Sequence, residues 1–367
     1  MNNFHFLYIR KAIPILVLGL VLFLSLTSCT APTPACEPTC QPSPLPSLTE
    51  MTTPTPSSTT TSTTTTTPTP TPVPPGDEDT PFRMGIFMNP FDTTALTASG
   101  ELSQFIFSET GLSFQVEYYD NYADMLNDLS DYSLHAAWLP PLTYIHARQN
   151  DLAEVNLLTN HFGTYFTGSQ FLAPSNSGIT SFFNPEKNIN TANAATALRQ
   201  FQALQPCWVS PTSASGYIVP AGLLAENSIF VADGANLQSH TAVLRALYAG
   251  GICDFGATFA ISGDPRTSAN LLMDYPDILE EMPVIWRSDP IVPNLNLSYH
   301  PYIPDDIRTQ INLALFSLVS TSAGQQTLSN SLNYDVQDLK FVEENIFDRL
   351  TELIEALEID PQDLIGG

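Results

Sequence analysis

The run Ser210-Pro211-Thr212-Ser213-Ala214-Ser215-Gly216-Tyr217-Ile218-Val219-Pro220 is the tightest constraint in the chain. It reads as the end of a β-strand, a cluster of small hydroxyls and the start of a helix. Proline has no amide hydrogen and is tolerated only in the first helical turn, so Pro220 implies a helix beginning no earlier than about Gly216. Ser213, Ser215 and the amides around Gly216 then lie at its mouth. The first amides of a helix have no partner within it and face a positive dipole end, which suits an anion. The competing reading is a plain hydroxyl-rich cap, and the rest of the chain decides between the two.

The N-terminus has Arg10 and Lys11, an apolar run from Ile13 to Leu26, and then Leu26-Thr27-Ser28-Cys29. The run is the length of a signal-peptide core and short for a membrane span. Small residues directly before a cysteine, behind such a segment, form the pattern of a bacterial lipoprotein signal. Residues 1–28 are therefore expected to be a signal peptide, leaving Cys29 lipidated and the protein extracytoplasmic, anchored to the cell membrane. The alternative is an uncleaved anchor helix. Residues 29–80 are nearly all Thr, Ser and Pro over much of their length, with little to bury, and read as a disordered, extended stalk.

From Phe82 onward the chain has enough length for two modest lobes. Twelve Lys and Arg stand against 37 Asp and Glu, a formal charge of −25, and loss of the leader removes only bases. That balance excludes a nucleic-acid surface. Beyond Asp335, the spacing of Phe341, Ile346, Leu350, Ile354 and Leu357 predicts an amphipathic helix with a solvated acidic face. Cys36 and Cys40 lie in the stalk with no further ligands at metal spacing, and no metal or cofactor is expected. Cys207 and Cys253 sit in short apolar runs, and an extracellular address permits a Cys207–Cys253 bridge, against a reduced core pair.

The body alternates strands and helices. Strands are expected at Met84–Met88, Phe114–Tyr118, Leu134–Trp138, Cys207–Val209, Ile252–Thr258 and Val284–Trp286. Helices are expected at about Thr94–Glu109, Tyr122–Leu129, Leu142–Gln149, Ala194–Leu204, Tyr217–Glu226, from Ser239-His240 to Gly250, and from Pro304 through Leu318. This is the pattern of α/β lobes with mostly parallel sheets, whose ligands bind beyond the carboxyl ends of the strands.

With these residues in place, the chain resembles the phosphonate/phosphite/phosphate-type substrate-binding lipoproteins of ABC transporters, which have the type 2 periplasmic binding protein fold. The resemblance rests on Pro211–Tyr217, where the family has P-x-S-T-S-G-Y. Ala137–Tyr144, Gly251–Ala257 and Ile285–Asn294 support it, in family order, across about Phe82 to Leu328. It implies two lobes joined by two hinge strands. Lobe 1 would comprise 82–171 plus 285–345, lobe 2 would comprise 172–284, and 346–367 would be an acidic C-terminal helix and tail. It also implies that Ser213, Ser215 and Gly216 cradle a small oxyanion, that His240 adds a contact, and that Tyr122 and Tyr165 line the opposing lobe. The implied partner is an ABC permease, and the protein is expected to act as a monomer.

Two departures bear on the ligand. Ala214 replaces the usual threonine, and one hydrogen bond to a charged group is worth roughly 1.5–3 kcal/mol. Leu295 stands where aminophosphonate binders carry an acid, which disfavours an aminoalkyl ligand. The functional reading is a solute receptor for an importer, with a tethered sensory module as the alternative. A hydrolase built on Ser213 or Ser215 with His240 lacks both a G-x-S-x-G elbow and an acid placed to orient the histidine, so no enzyme is expected.

Overall fold

The structure, a computed structural model, describes residues 74–89 and 91–365. The expected signal peptide, the lipidation site Cys29, Cys36, Cys40 and most of the expected stalk lie outside these residues. The last part of that stalk is attached to the body. Pro75 is buried, and the Gly76 carbonyl accepts from Ser113 N at 2.7 Å beside the first strand.

In chain order the strands are β1 (Phe82–Phe87), β2 (Phe114–Tyr119), β3 (Ala136–Leu139), β4 (Glu154–Asn160), β5 (Phe166–Leu172), the small hairpin β6 (Phe183–Asn184) and β7 (Ile189–Asn190), β8 (Pro206–Trp208), β9 (Ala235–Asn236), β10 (Phe255–Ala260), β11 (Val284–Arg287), β12 (Val292–Pro293), β13 (Asn296–Tyr299) and β14 (Asp338–Phe341). One sheet runs β14-β4-β13-β3-β1-β2 and the other β11-β5-β10-β8-β9, with β12 on β5. Each is the sheet of one lobe.

Each sheet is mixed rather than mostly parallel. The parallel pairs are β1 with β2 and β3, and β8 with β9 and β10. The antiparallel strands include those that carry the chain between lobes. It leaves the first sheet through β4, enters the second through β5, and returns from β12 to β13, so the crossings lie at 161–165 and 294–295. A strand that arrives from the other lobe enters its sheet against the direction of the βαβ units. Phe166–Phe171, Ile285–Arg287 and Val292–Pro293, expected in the first lobe, accordingly belong to the second sheet.

Local signals set most helix ends. Asp92 caps Thr93–Thr110 by accepting from Thr94 N and Ala95 N, and Gly111 ends it at φ 74°. Asn121 caps Tyr122–Ser130, Pro141 opens Pro141–Gln149, and Ser239 caps His240–Ala249. The helix expected over Ala194–Leu204 instead breaks into an α-turn at Ala194–Ala197 and a 3-10 turn at Leu198–Phe201. Ala203 adopts φ 62° and donates to the Phe230 carbonyl, which turns the chain into β8, while Phe201 stacks on Phe255 at 4.1 Å.

One core lies between the first sheet and the helices Thr93–Thr110, Asp305–Val319 and Ser322–Leu332. Another fills the second sheet beneath His240–Ala249. A third runs through both lobes by way of the C-terminal segment. There Phe341 lies on β14, and the helix spans only Asp348–Ala356, with Leu350, Leu353 and Ile354 buried. Phe347 packs on Tyr144 of the first lobe at 4.3 Å, and Arg349 grips Glu226 of the second at 2.8 Å through both guanidinium nitrogens. The segment forms a strap across the two lobes, with part of its acidic face engaged there.

Candidate functional site

The hydroxyl cluster follows β8, and the winding begins earlier than Pro220 suggested. Ala214–Ile218 forms a π-turn that runs into an α-helix over Val219–Glu226. Ile218 N donates to Ser213 O at 3.0 Å and Val219 N donates to Ala214 O. The next acceptor in that register is Ser215 O, whose donor would be residue 220, a proline. The wide turn stops there, and Ser169 Oγ of β5 donates to Ser215 O at 2.6 Å instead. Val209 N reaches Gly216 O at 3.2 Å. The proline is tolerated because neighbouring strands supply the missing donors.

Within the cap, Ser213 Oγ accepts from Gly216 N at 3.1 Å, so that amide is committed. Gly216 is needed there, because a Cβ would lie 2.7 Å from Val209 Cβ and 2.8 Å from Ser213 Oγ. The amides of Ala214 and Ser215, two residues and one residue earlier, have no acceptor among the described residues. Ser215 is 8 % exposed, and its Oγ likewise has no partner among them. These uncommitted donors sit at the carboxyl end of a parallel strand.

His240 stands at the first position of its helix, beyond β9. Its Nδ1 accepts from Phe259 N at 3.2 Å, and burial lowers its pKa to about 4. The ring is therefore neutral near pH 7, with its proton on Nε2, which can donate. The Cys207–Cys253 disulfide, with Cα atoms 5.6 Å apart, ties β8 to the approach of β10 and so braces the strand that presents the cap against the one that presents Phe259.

On the first lobe, a hollow of about 400 Å³ lies at the carboxyl ends of β1 and β3, walled by Phe87, Tyr122, Trp138, Leu295, Leu332 and Tyr334. Tyr122 stacks on Phe87 at 4.6 Å and 15°. Its hydroxyl has no partner among the described residues, and burial raises its pKa. Trp138 is almost wholly buried and serves both as lobe packing and as hollow wall. A second hollow, of about 600 Å³, lies at the hinge and includes Phe259, Asn294 and, again, Tyr334. Tyr165 lines neither. Its hydroxyl donates to Asp338 at 2.9 Å; burial, with that bond, pushes its pKa up to about 12, and Lys340 Nζ lies 4.4 Å from its ring centre.

Three contributors were not legible beforehand. Ser169 acts through a contact 46 residues away in sequence, and no local pattern marks it. Tyr334 follows Asn333, which ends its helix at φ 47°, and stacks on hinge residue His161 at 4.0 Å. An aromatic directly after an αL cap is the only hint the chain offered. The sequence pointed to the amides around Gly216 as a group, but nothing in it marked the Ala214 amide as one that stays uncommitted while Gly216 N does not.

The family model described as "ABC transporter, phosphonate, periplasmic substrate-binding protein" matches residues 89–338. No curated protein matches the chain. Among solved structures, XAC2383 from Xanthomonas citri bound to chloride ion aligns at TM-score 0.57 and 15 % identity, covering 77 % of this chain and 98 % of that one. The same protein bound to ATP aligns at 0.56 and 14 %, covering 78 % and 99 %. PhnD1 from Prochlorococcus marinus in complex with methylphosphonate aligns at 0.50 and 15 %, covering 76 % and 98 %. At these identities the likeness is one of fold, the two-lobed periplasmic binding protein fold. The match of the family model over most of the chain carries the assignment further: this chain belongs to the family of phosphonate-type periplasmic substrate-binding proteins of ABC transporters.

Proposed function

We propose that the protein captures a small oxyanion of the phosphonate, phosphite or phosphate type outside the cytoplasm and delivers it to an ABC permease, tethered to the membrane by lipid on Cys29. The observation that carries this reading is the cap after β8, where the Ala214 and Ser215 amides and the Ser215 hydroxyl are uncommitted among the described residues. Neutral donors at a helical start hold a buried anion because aligned dipoles replace its water without a bulk cation. His240 Nε2–H adds a donor of the same neutral kind, and Tyr122 offers a hydroxyl from the facing lobe. Hinge closure at 161–165 and 294–295 would bring the two sets of contacts together. Local donors are needed because a chain of formal charge −25 repels anions at long range.

The test is a titration at low salt with methylphosphonate, phosphite, phosphate and sulfate, followed by calorimetry and by the rise in Tm that a ligand of the folded form produces. Ser213→Ala and Ser215→Ala should each weaken the best ligand about 10-fold or more. Unchanged affinity in both variants would remove the cap as the binding site.

A further inference from the structure

We infer that the ligand carries, beside its oxyanion, an uncharged apolar group larger than a methyl, and that the hollow at the ends of β1 and β3 receives it. This rests on the reading above and names the class of ligand for the same cleft. Apart from Met88, Asn89 and Asn333, the walls are the aromatic rings of Phe87, Tyr122, Trp138 and Tyr334 and the aliphatic chains of Leu295 and Leu332, so among the described residues no Lys, Arg, Asp or Glu lines the hollow. An ammonium entering it would lose its hydration with no carboxylate to meet it, whereas an aryl or branched alkyl group would only shed apolar surface from water.

Size points the same way. A methyl group takes up about the volume of one water, roughly 30 Å³, and the hollow measures about 400 Å³. Methylphosphonate would leave most of its apolar wall wet. The hollow also meets a second one at the hinge. Tyr334 lines both cavities, and the consecutive residues Asn294 and Leu295 line one each. In the second cavity stands Phe259, whose amide is held by His240. Closure about that hinge would let one molecule place its anionic end at the cap and its organic end in the first lobe.

The full chain would be titrated by calorimetry with methylphosphonate, phenylphosphonate and 2-aminoethylphosphonate in the same low-salt buffer. Phenylphosphonate should bind on the order of 10- to 100-fold more tightly than methylphosphonate, with the aminoethyl compound weakest. Leu295→Asp, which puts a carboxylate at the half-buried mouth of the hollow, should reverse the order of phenyl and aminoethyl ligands, while Leu295→Asn should not favour the amine. Methylphosphonate binding as tightly as phenylphosphonate, or a preference unmoved by Leu295→Asp, would overturn the inference and leave the anion cap standing. Failure of all three while phosphite or phosphate binds would overturn this inference and leave the cap, whereas failure of phosphite and phosphate as well would remove the cap reading and this inference with it.

Discussion

Ser169 Oγ donates to the carbonyl oxygen of Ser215 at 2.6 Å, and so fills the place of the hydrogen bond that Pro220 cannot make. Ser169 is wholly buried on β5, the strand by which the chain enters the second lobe. The shape of the cap is therefore held from the hinge side of the sheet. Ser169→Ala would leave a buried carbonyl without a donor, and should lower stability by about 1–3 kcal/mol in urea unfolding. It should also weaken oxyanion binding, although Ser169 is not itself proposed to touch the ligand. Unaltered stability would mean that the π-turn does not depend on this bond.

The buried histidine gives a pH signature. Folded His240 titrates at about 4, through burial, whereas an exposed imidazole titrates near 6.5. The unfolded chain takes up the proton first, so the stability contributed by the neutral ring is complete above about pH 6.5 and is lost as pH falls toward 4. The loss should reach at most about 3 kcal/mol. His135, whose Nδ1 accepts from Arg83 N and whose pKa is also about 4, acts in the same window. Melting temperatures measured across this range should fall less steeply in His240→Gln, and less still when His135→Gln is added. Parallel curves for all three proteins would show that neither ring is buried neutral.

The Cys207–Cys253 bridge closes a loop with a sequence separation of 46 residues. A loop of that length constrains the unfolded chain by about 4 kcal/mol in the loop-entropy account. Cys207→Ser with Cys253→Ser should lower Tm by many degrees and leave it insensitive to reductant, whereas the parent protein should lose a similar amount on reduction. A parent Tm indifferent to reductant would mean that the bridge contributes nothing to stability.

The C-terminal strap is held by packing more than by charge. A Cβ on Gly222 would lie 2.8 Å from Leu353 Cβ and 3.0 Å from the Leu353 carbonyl oxygen, so the helix Val219–Glu226 and the strap meet nearly backbone to backbone. Gly222→Val should lower stability by about 1–3 kcal/mol through overpacking and expose the strap to proteolysis. Arg349→Ala should cost less than about 1 kcal/mol, because its pairs with Glu226 and Glu352 are partly exposed. Denaturant unfolding of the two variants separates the terms, and a larger loss in Arg349→Ala would reverse this ranking.

Much of the architecture was legible because its signals are local. Asp92 and Gly111 mark the two ends of one helix, and Asn121 and Ser239 mark the starts of two others, because each acts within a turn of where it stands. The strand at Phe114–Tyr119 was visible from alternation, and the pairing of Cys207 with Cys253 from their runs and the expected address of the protein. The helix over Ala194–Leu204 misled because propensity does not register the pull of Phe230 O on Ala203. The Phe341–Leu357 spacing merged a strand and a helix because Phe341, largely exposed on β14, fits the helical interval by apolar character alone, whereas Leu350 and Ile354 are the residues that the helix buries.

At the candidate site, the order of residues by itself determined that small hydroxyls and a glycine precede a proline, and hence that a helical start with unpaired amides lies near Ser213 and Ser215. The local cap itself commits Gly216 N to Ser213 Oγ, and tertiary structure decided what holds the turn open, since Ser169, 46 residues away, supplies the donor to the Ser215 carbonyl. It also decided that Tyr165 bonds Asp338 and lines neither of the two hollows, and that Tyr334 lines both. The physical reason is range: a cap depends on backbone geometry over a few residues, whereas a cavity wall depends on side chains brought together across two sheets.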